Sequence, residues 1–191
     1  DRNKFIILMP GRLTPWKGQK VFIEAIKTLS EKEDISSLEA IILGAEQGRS
    51  IYKKQLVALV QQYRLNKIIK FIDQCEEMPI AYMISNVVVS SSIEPEAFGR
   101  VAVEAQSMEV PIIASNLGGS KETIINNKTG FLFESGNQNA LAESIAMVMK
   151  KDYNSLKSIG FEGRKNVLKK FDVDKMCQTT FTEYKKLIES S

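Results

Sequence analysis

Continuous apolar runs alternate along this chain with segments whose apolar residues return every three or four positions. Residues 5–9 read Phe-Ile-Ile-Leu-Met, an unbroken run of the kind found in strands covered on both faces. Val21, Phe22, Ala25, Ile26 and Leu29 follow with helical spacing. Next come a strand at 38–43 ended by Gly44, a helical stripe of Tyr52, Leu56, Leu59, Val60 and Tyr63, and a strand at 68–72. A short helix at 78–85, begun by Glu76 and Glu77, leads to a strand at 87–89. The pattern then predicts a helix over 98–109 with Val101, Ala102, Ala105 and Met108 on one side, and strands at 111–114 and 130–133. A helix over 137–151 turns Leu141, Ile145, Val148 and Met149 inward, and two more, 153–170 and 173–189, close the chain.

Strands separated by helices at this spacing specify an α/β fold: a Rossmann-like open parallel sheet of about six strands with helices on both faces. The chain shows no internal repeat, low-complexity tract or linker, so residues 1–191 read as a single domain. Sheets of this kind bind ligands beyond the C-terminal ends of their strands. The loops to inspect are therefore 10–18, 44–50, 73–76, 91–98 and 115–120.

Composition narrows the chemistry. Histidine is absent, so no Ser-His or Cys-His couple exists here, and any general base is a carboxylate, Lys or Tyr or comes from elsewhere. Cys75 and Cys177 lie far apart without CxxC spacing, which argues against zinc and for the reduced thiols of a cytosolic protein. No apolar stretch reaches the roughly 18–20 residues that span a bilayer. The apolar opening that follows Asp1-Arg2-Asn3-Lys4 is too short for a signal peptide. The first residue is not Met, so the chain is expected to begin inside a longer protein. A net charge of +3 carried by scattered lysines fits a solvated surface better than a nucleic-acid site.

Three loops carry candidate chemistry. In the first, Gly11-Arg12-Leu13-Thr14-Pro15-Trp16-Lys17-Gly18, two glycines bracket a planar guanidinium and a point charge. Beside a helix N-terminus these could hold a diphosphate; an ordinary βα turn with two solvated charges fits the same letters. Neither GxGxxG nor GxxxxGK[ST] occurs here, so dehydrogenase and kinase readings are poor. In the second, Ser90 to Arg100, small residues end the strand and Pro95 stiffens the turn. Gly99 is expected in the first helical turn, leaving the amides of residues 98–100 free for an anion or a sugar oxygen. Glu96 stands at the helix entrance and Glu104 two turns on, so two spaced carboxylates could each grip a pair of vicinal hydroxyls. Glu96 equally suits the positive end of the helix dipole, and Glu104 an i,i+4 pair with Arg100. In the third, Gly118-Gly119 opens a further helix, either to bring backbone close to a ligand or as a plain tight turn.

These residues together resemble a known family. Residues 96–105, Glu-Ala-Phe-Gly-Arg-Val-Ala-Val-Glu-Ala, resemble the E-x7-E signature of retaining GT-B glycosyltransferases of the family 4 (group 1) type. Gly11-Arg12-Leu13 with Lys17-Gly18 looks like that family's diphosphate loop. Val110 to Ser115 with Gly118, Gly119 and Glu122 looks like its next strand and glycine loop, and Thr129 to Phe133 like the strand after that. The similarity runs through nearly the whole chain in the family's order. The stretch from Glu94 to Val101 is especially like bacterial enzymes of cell-surface polysaccharide assembly, in lipopolysaccharide or capsule biosynthesis.

The resemblance implies a donor-binding C-terminal domain, one half of a GT-B enzyme, that handles a nucleoside diphosphate sugar and transfers a hexose with retention to a cell-surface polysaccharide or lipid-linked acceptor. It implies catalytic roles for Arg12, Lys17 and Glu96. Arg12 and Lys17 would neutralise the leaving diphosphate, and Glu96 would contact the transferred sugar with help from the amides of Phe98, Gly99 and Arg100. Glu104 would hold the ribose. Gly11 and Ala97 would complete the donor contacts, with Ile72, Gln74 and Cys75 against the base; Asp73-Gln74 departs from the glycine that the family often has here. No cofactor or metal is expected, because Arg, Lys and helix amides would supply the positive charge. The implied partner is an N-terminal acceptor domain, onto which a closing helix at 175–191 would cross. The intact enzyme would be cytoplasmic, with peripheral attachment at the inner face of the membrane, and the isolated domain inactive. Two alternatives stay open: a non-catalytic sugar-nucleotide-binding or partner module on the same fold, and another GT-B enzyme such as a sugar-nucleotide epimerase.

Overall fold

The structure, a computed structural model, describes residues 4–189. In chain order it contains β1 (Phe5–Pro10), α1 (Gln19–Lys32), β2 (Leu38–Leu43), α2 (Ser50–Gln62), β3 (Ile69–Ile72), α3 (Met78–Met83) and β4 (Val87–Ser90). There follow α4 (Arg100–Ser107), β5 (Ile112–Ser115), α5 (Ser120–Thr123), β6 (Phe131–Phe133), α6 (Gln138–Met149), α7 (Tyr153–Lys170) and α8 (Val173–Glu189). The strands form one sheet in the order β3-β2-β1-β4-β5-β6, and every neighbouring pair is parallel. This is the Rossmann-like doubly wound arrangement expected from the sequence.

Strand side chains alternate between faces, and the continuous apolar runs therefore feed two cores at once. Ile7, Met9, Val87, Val89 and Ile113 point into a cluster closed by α1, α2 and α6. Leu8, Val88, Ile112 and Ala114 point into a second cluster, with Tyr82 of α3 and Ala102 and Ala105 of α4. The outer strand β3 is only partly covered, and Ile72 at its end is exposed.

The helix expected over 98–109 is shorter. Gly99 adopts φ 75°, a left-handed conformation, and caps α4 from outside, so Phe98 and Gly99 belong to the approach loop rather than to the first turn. A short 3-10 turn, Pro15–Lys17, precedes α1 and ends at Gly18 with φ 73°. Proline at the first position suits such a turn, although the apolar periodicity gave no sign of it. The helix opened by the Gly118-Gly119 loop is the single turn α5.

The last helix, α8, buries none of its residues: Met176, Phe181, Tyr184, Leu187 and Ile188 all stand exposed along it. Ring contact at its base joins Phe171 to Phe98, centroids 5.6 Å apart and edge-on. The proposed closing segment at 175–191 falls on α8 apart from Ser190 and Ser191, which lie outside the described residues, as do Asp1, Arg2 and Asn3. No described helix is long and apolar enough to cross a membrane.

Candidate active site

In this strand order the winding of the sheet switches sides between the parallel strands β1 and β4, and the loops leaving those two strands diverge to open a crevice. A cavity of about 730 Å³ lies there. One wall comes from the end of β1 and its loop: Pro10, Gly11, Arg12, Trp16 and Lys17. The other comes from the approach to α4 and its first turns: Glu96, Ala97, Phe98, Gly99, Arg100, Val101 and Glu104. Gln47, Met78 and Tyr82 complete the lining.

Close backbone approaches fix both walls. A Cβ on Gly44 would sit 2.0 Å from Gly11 O, and one on Gly18 would sit 1.9 Å from Ser91 O, so both positions admit only glycine. Gly11 N donates to Leu43 O (2.9 Å), and Ser91 Oγ donates to Gly18 O (3.0 Å). Arg12 is held through its main chain: Gln19 Nε2 donates to Arg12 O (2.8 Å), and Tyr52 OH donates in turn to Gln19 Oε1 (3.3 Å). Arg12 is exposed and lines the cavity. On the opposite wall, the Gly118-Gly119 loop seats the Glu96–Phe98 turn. Gly119 N donates to Glu96 O (2.8 Å), and a Cβ on Gly119 would fall 2.5 Å from the Phe98 carbonyl. That loop brings its backbone against the site turn, a role distinct from the ligand approach and the plain tight turn that its sequence suggested.

Across the crevice the walls meet in an ion pair. Lys17 Nζ lies 2.8 Å from Glu96 Oε2, with the two side chains only 13% and 15% exposed. The ammonium also sits 4.6 Å above the Trp16 ring, and Ser92 Oγ donates to the other Glu96 oxygen. Glu96 is therefore held by side chains as well as lying near a helix entrance. Glu104 lies within no ion-pair distance of Arg100 among the described residues. Its Oε2 instead accepts a hydrogen bond of 2.6 Å from Tyr82 OH. Burial of that phenol, and then its bond to Glu104, push its pKa far above the usual tyrosine range. The first helical hydrogen bond of α4 runs from Ala102 N to Gly99 O (3.0 Å). The amides of Phe98, Gly99 and Arg100 precede it and, as at any helix start, have no intrahelical partner.

Of the residues singled out in the sequence, Gly11, Arg12, Lys17, Glu96, Ala97, Phe98, Gly99, Arg100 and Glu104 line this one cavity. Ile72, Gln74 and Cys75 do not. Ile72 at the end of β3 and Gln74 just beyond it are exposed, and Cys75 packs against the second core cluster. The adjoining Asp73 is drawn outward by an ion pair with Lys53 of α2. Sequence reasoning missed Tyr82, whose only signal is a tyrosine inside an apolar helix, and Trp16, which stands in plain view inside the first loop.

A family model described as "Glycosyl transferases group 1" matches residues 1–166. The chain belongs to the group 1 glycosyltransferases. It is 29% identical over 190 residues to the capsular polysaccharide biosynthesis glycosyltransferase CapM of Staphylococcus aureus, an alignment covering 99% of this chain and 48% of CapM. Among solved structures it resembles a glycosyltransferase from Rickettsia africae with a TM-score of 0.91 and 33% identity, covering 99% of this chain and 49% of that one. It resembles Anabaena HepE, crystallised with UDP and glucose, with a TM-score of 0.88 and 28% identity, covering 96% of this chain and 49% of HepE. This group 1 chain thus spans about half the length of these relatives, and its sheet and flanking helices form one Rossmann-like half of their GT-B architecture.

Proposed function

We propose that this group 1 domain is the C-terminal, donor-binding half of a retaining glycosyltransferase that moves a hexose from a nucleoside diphosphate sugar to a cell-surface polysaccharide or lipid-linked acceptor. One observation carries the reading: two cations from the β1 loop and two carboxylates from the α4 region line a single crevice at the switch point of the sheet. A sugar nucleotide demands that combination, with positive charge for the diphosphate and carboxylates for vicinal hydroxyls on its two sugars. The likeness to HepE, whose crystals hold UDP and glucose, supports it, and CapM, a capsule enzyme by name, supports the acceptor class.

In this reading the bond from the anomeric carbon to the diphosphate oxygen breaks, and negative charge appears on the departing β-phosphate. Arg12, Lys17 and the amides of Phe98–Arg100 neutralise it; placed in advance, they lower the barrier without reorganising. Glu96 holds hydroxyls of the transferred hexose and Glu104 those of the ribose. Retention leaves the new bond to the acceptor oxygen on the face from which the diphosphate departs, while the acceptor hydroxyl passes its proton to the departing β-phosphate oxygen. The cations on the β1 loop do the electrostatic work, so the proposal needs no metal and no cofactor. An N-terminal half supplies the acceptor site and covers the apolar face of α8, and the domain alone is inactive. The intact enzyme works in the cytoplasm at the inner face of the membrane.

Trp16 is the chain's single tryptophan and lines the cavity, which makes its fluorescence a reporter of binding. Titration with UDP, GDP and ADP and their hexose conjugates is expected to change that emission and to shift NMR signals of residues 11–18 and 96–104. If no such nucleotide shifts either segment, the assignment is wrong. Transfer activity is expected only once an N-terminal acceptor half is joined to the domain, and product analysis there separates a transferase from an epimerase.

A further inference from the structure

Glu104 sits on an exposed face of α4, four residues after Arg100. A carboxylate so placed ordinarily falls onto its i−4 arginine or samples several rotamers in water. Here it does neither, because Tyr82 OH donates to Glu104 Oε2 at 2.6 Å across 22 residues of chain. Tyr82 is itself packed in place: the residue is 2% exposed, in the core cluster that contains Val88, Ala102 and Ala105.

We propose that Tyr82 is a positioning residue that sets the ribose selectivity of the donor site by holding the Glu104 carboxylate over the crevice. A carboxylate offers about four acceptor positions on two oxygens. The phenol occupies one of them on Oε2, which fixes the plane of the group and leaves Oε1 free for a vicinal diol. Burial keeps the phenol protonated, so it acts as a donor throughout the neutral range. The side chain is thus ordered before any ligand arrives, and the entropy of ordering it is not charged to binding. The ligand class that gains is the ribonucleoside diphosphate over its 2′-deoxy counterpart, which lacks one of the two hydroxyls. This inference rests on the proposed donor site, with Glu104 against the ribose.

The test uses residues 1–191 and Trp16 fluorescence, with UDP, GDP and ADP and their 2′-deoxy analogues as probes. Wild type is expected to prefer the ribonucleotide. Tyr82→Phe keeps the ring and its packing, and is expected to shrink that preference roughly 3- to 10-fold while the 2′-deoxy affinity stays within a factor of two, by the same reasoning. In a Glu104→Ala background, Tyr82→Phe is expected to have no further effect on affinity, a coupling that a purely structural tyrosine would not produce. Circular dichroism melts establish that each variant is folded. If wild type prefers the ribonucleotide and Tyr82→Phe prefers it equally, the positioning role is overturned and the donor site stands. If wild type binds ribo and deoxy forms alike, the ribose assignment of Glu104 falls and this inference with it. If no nucleotide binds, both fall together.

Discussion

Replacing Lys17 by Met deletes one charge of the pair that joins the two walls of the crevice while keeping an unbranched stem of similar length. The pair spans 2.8 Å between side chains 13% and 15% exposed, which places it between two regimes. Exposed pairs contribute about 0–1 kcal/mol, whereas breaking a fully buried pair costs about 3–5 kcal/mol, because the remaining charge is left uncompensated. Ser92 still donates to Glu96 in the variant, so the orphaned carboxylate keeps one partner. The expected loss is about 1–2 kcal/mol, or roughly 2–8 °C in melting temperature for a domain of this size. Glu96→Gln alone strands the ammonium, although the Trp16 ring 4.6 Å away compensates in part. In the double variant Lys17→Met/Glu96→Gln neither charge remains to be stranded, and the amide can still accept from Ser92. Its cost is therefore expected to fall short of the sum of the singles by about 1 kcal/mol. Urea denaturation of the four proteins measures the cycle. Single-variant costs that add within about 0.3–0.5 kcal/mol would refute the view that the walls are electrostatically joined.

Three further outcomes are expected. Gly160→Ala improves helix propensity by about 1 kcal/mol, yet its Cβ would lie 1.8 Å from Glu109 O; a net destabilisation of about 1–2 kcal/mol in urea melts is expected, and a stabilised variant would refute that contact. Burial and the bond to Glu104 raise the Tyr82 phenol's pKa above the usual tyrosine value of about 10, so below pH 10 folded and unfolded chains are both protonated and the group is neutral for stability. Above it the unfolded chain releases a proton that the folded chain retains. Stability then falls by about 1.4 kcal/mol per pH unit from this residue, and melts at pH 9–11 should show Tyr82→Phe losing less than wild type, with Tyr52, also raised by burial, accounting for part of the remainder. Phe181→Ser and Ile188→Ser lie on α8 at 70% and 77% exposure, so each should leave the domain's stability unchanged within about 0.5 kcal/mol; a larger loss would mean that α8 packs on this domain.

The strands were legible as continuous apolar runs because β1, β4 and β5 are covered on both faces, and such runs have few other uses in a chain with this many helices. Most of the nine cavity residues foreseen were readable because glycine and charge sit together in loops at strand ends, whereas Glu104 followed from its spacing along the helix and Ala97 from the family resemblance. What was not readable depends on contacts between distant segments. Nothing in the letters around Tyr82 announces a hydrogen bond to Glu104, since their helices meet only once β4 has carried the chain back across the sheet. Ile72, Gln74 and Cys75 were placed against the base by the family resemblance alone; Asp73 among them pairs with Lys53 of α2, and none of the three lines the crevice, although Met78 just beyond that loop does. Gly99 was taken into the helix because its neighbours keep the apolar period, whereas its positive φ depends on the turn beneath it.

The crevice has no local version. Its walls come from segments that are remote in sequence and adjacent only after β4 has docked beside β1, so no fragment from either side of that junction can hold a guest by itself. Any molecule that touches both walls therefore binds the assembled sheet and not the opened chain. By mass action it then acts as a non-covalent staple for the whole domain, adding about 2.7 kcal/mol of unfolding free energy at a hundred times its dissociation constant.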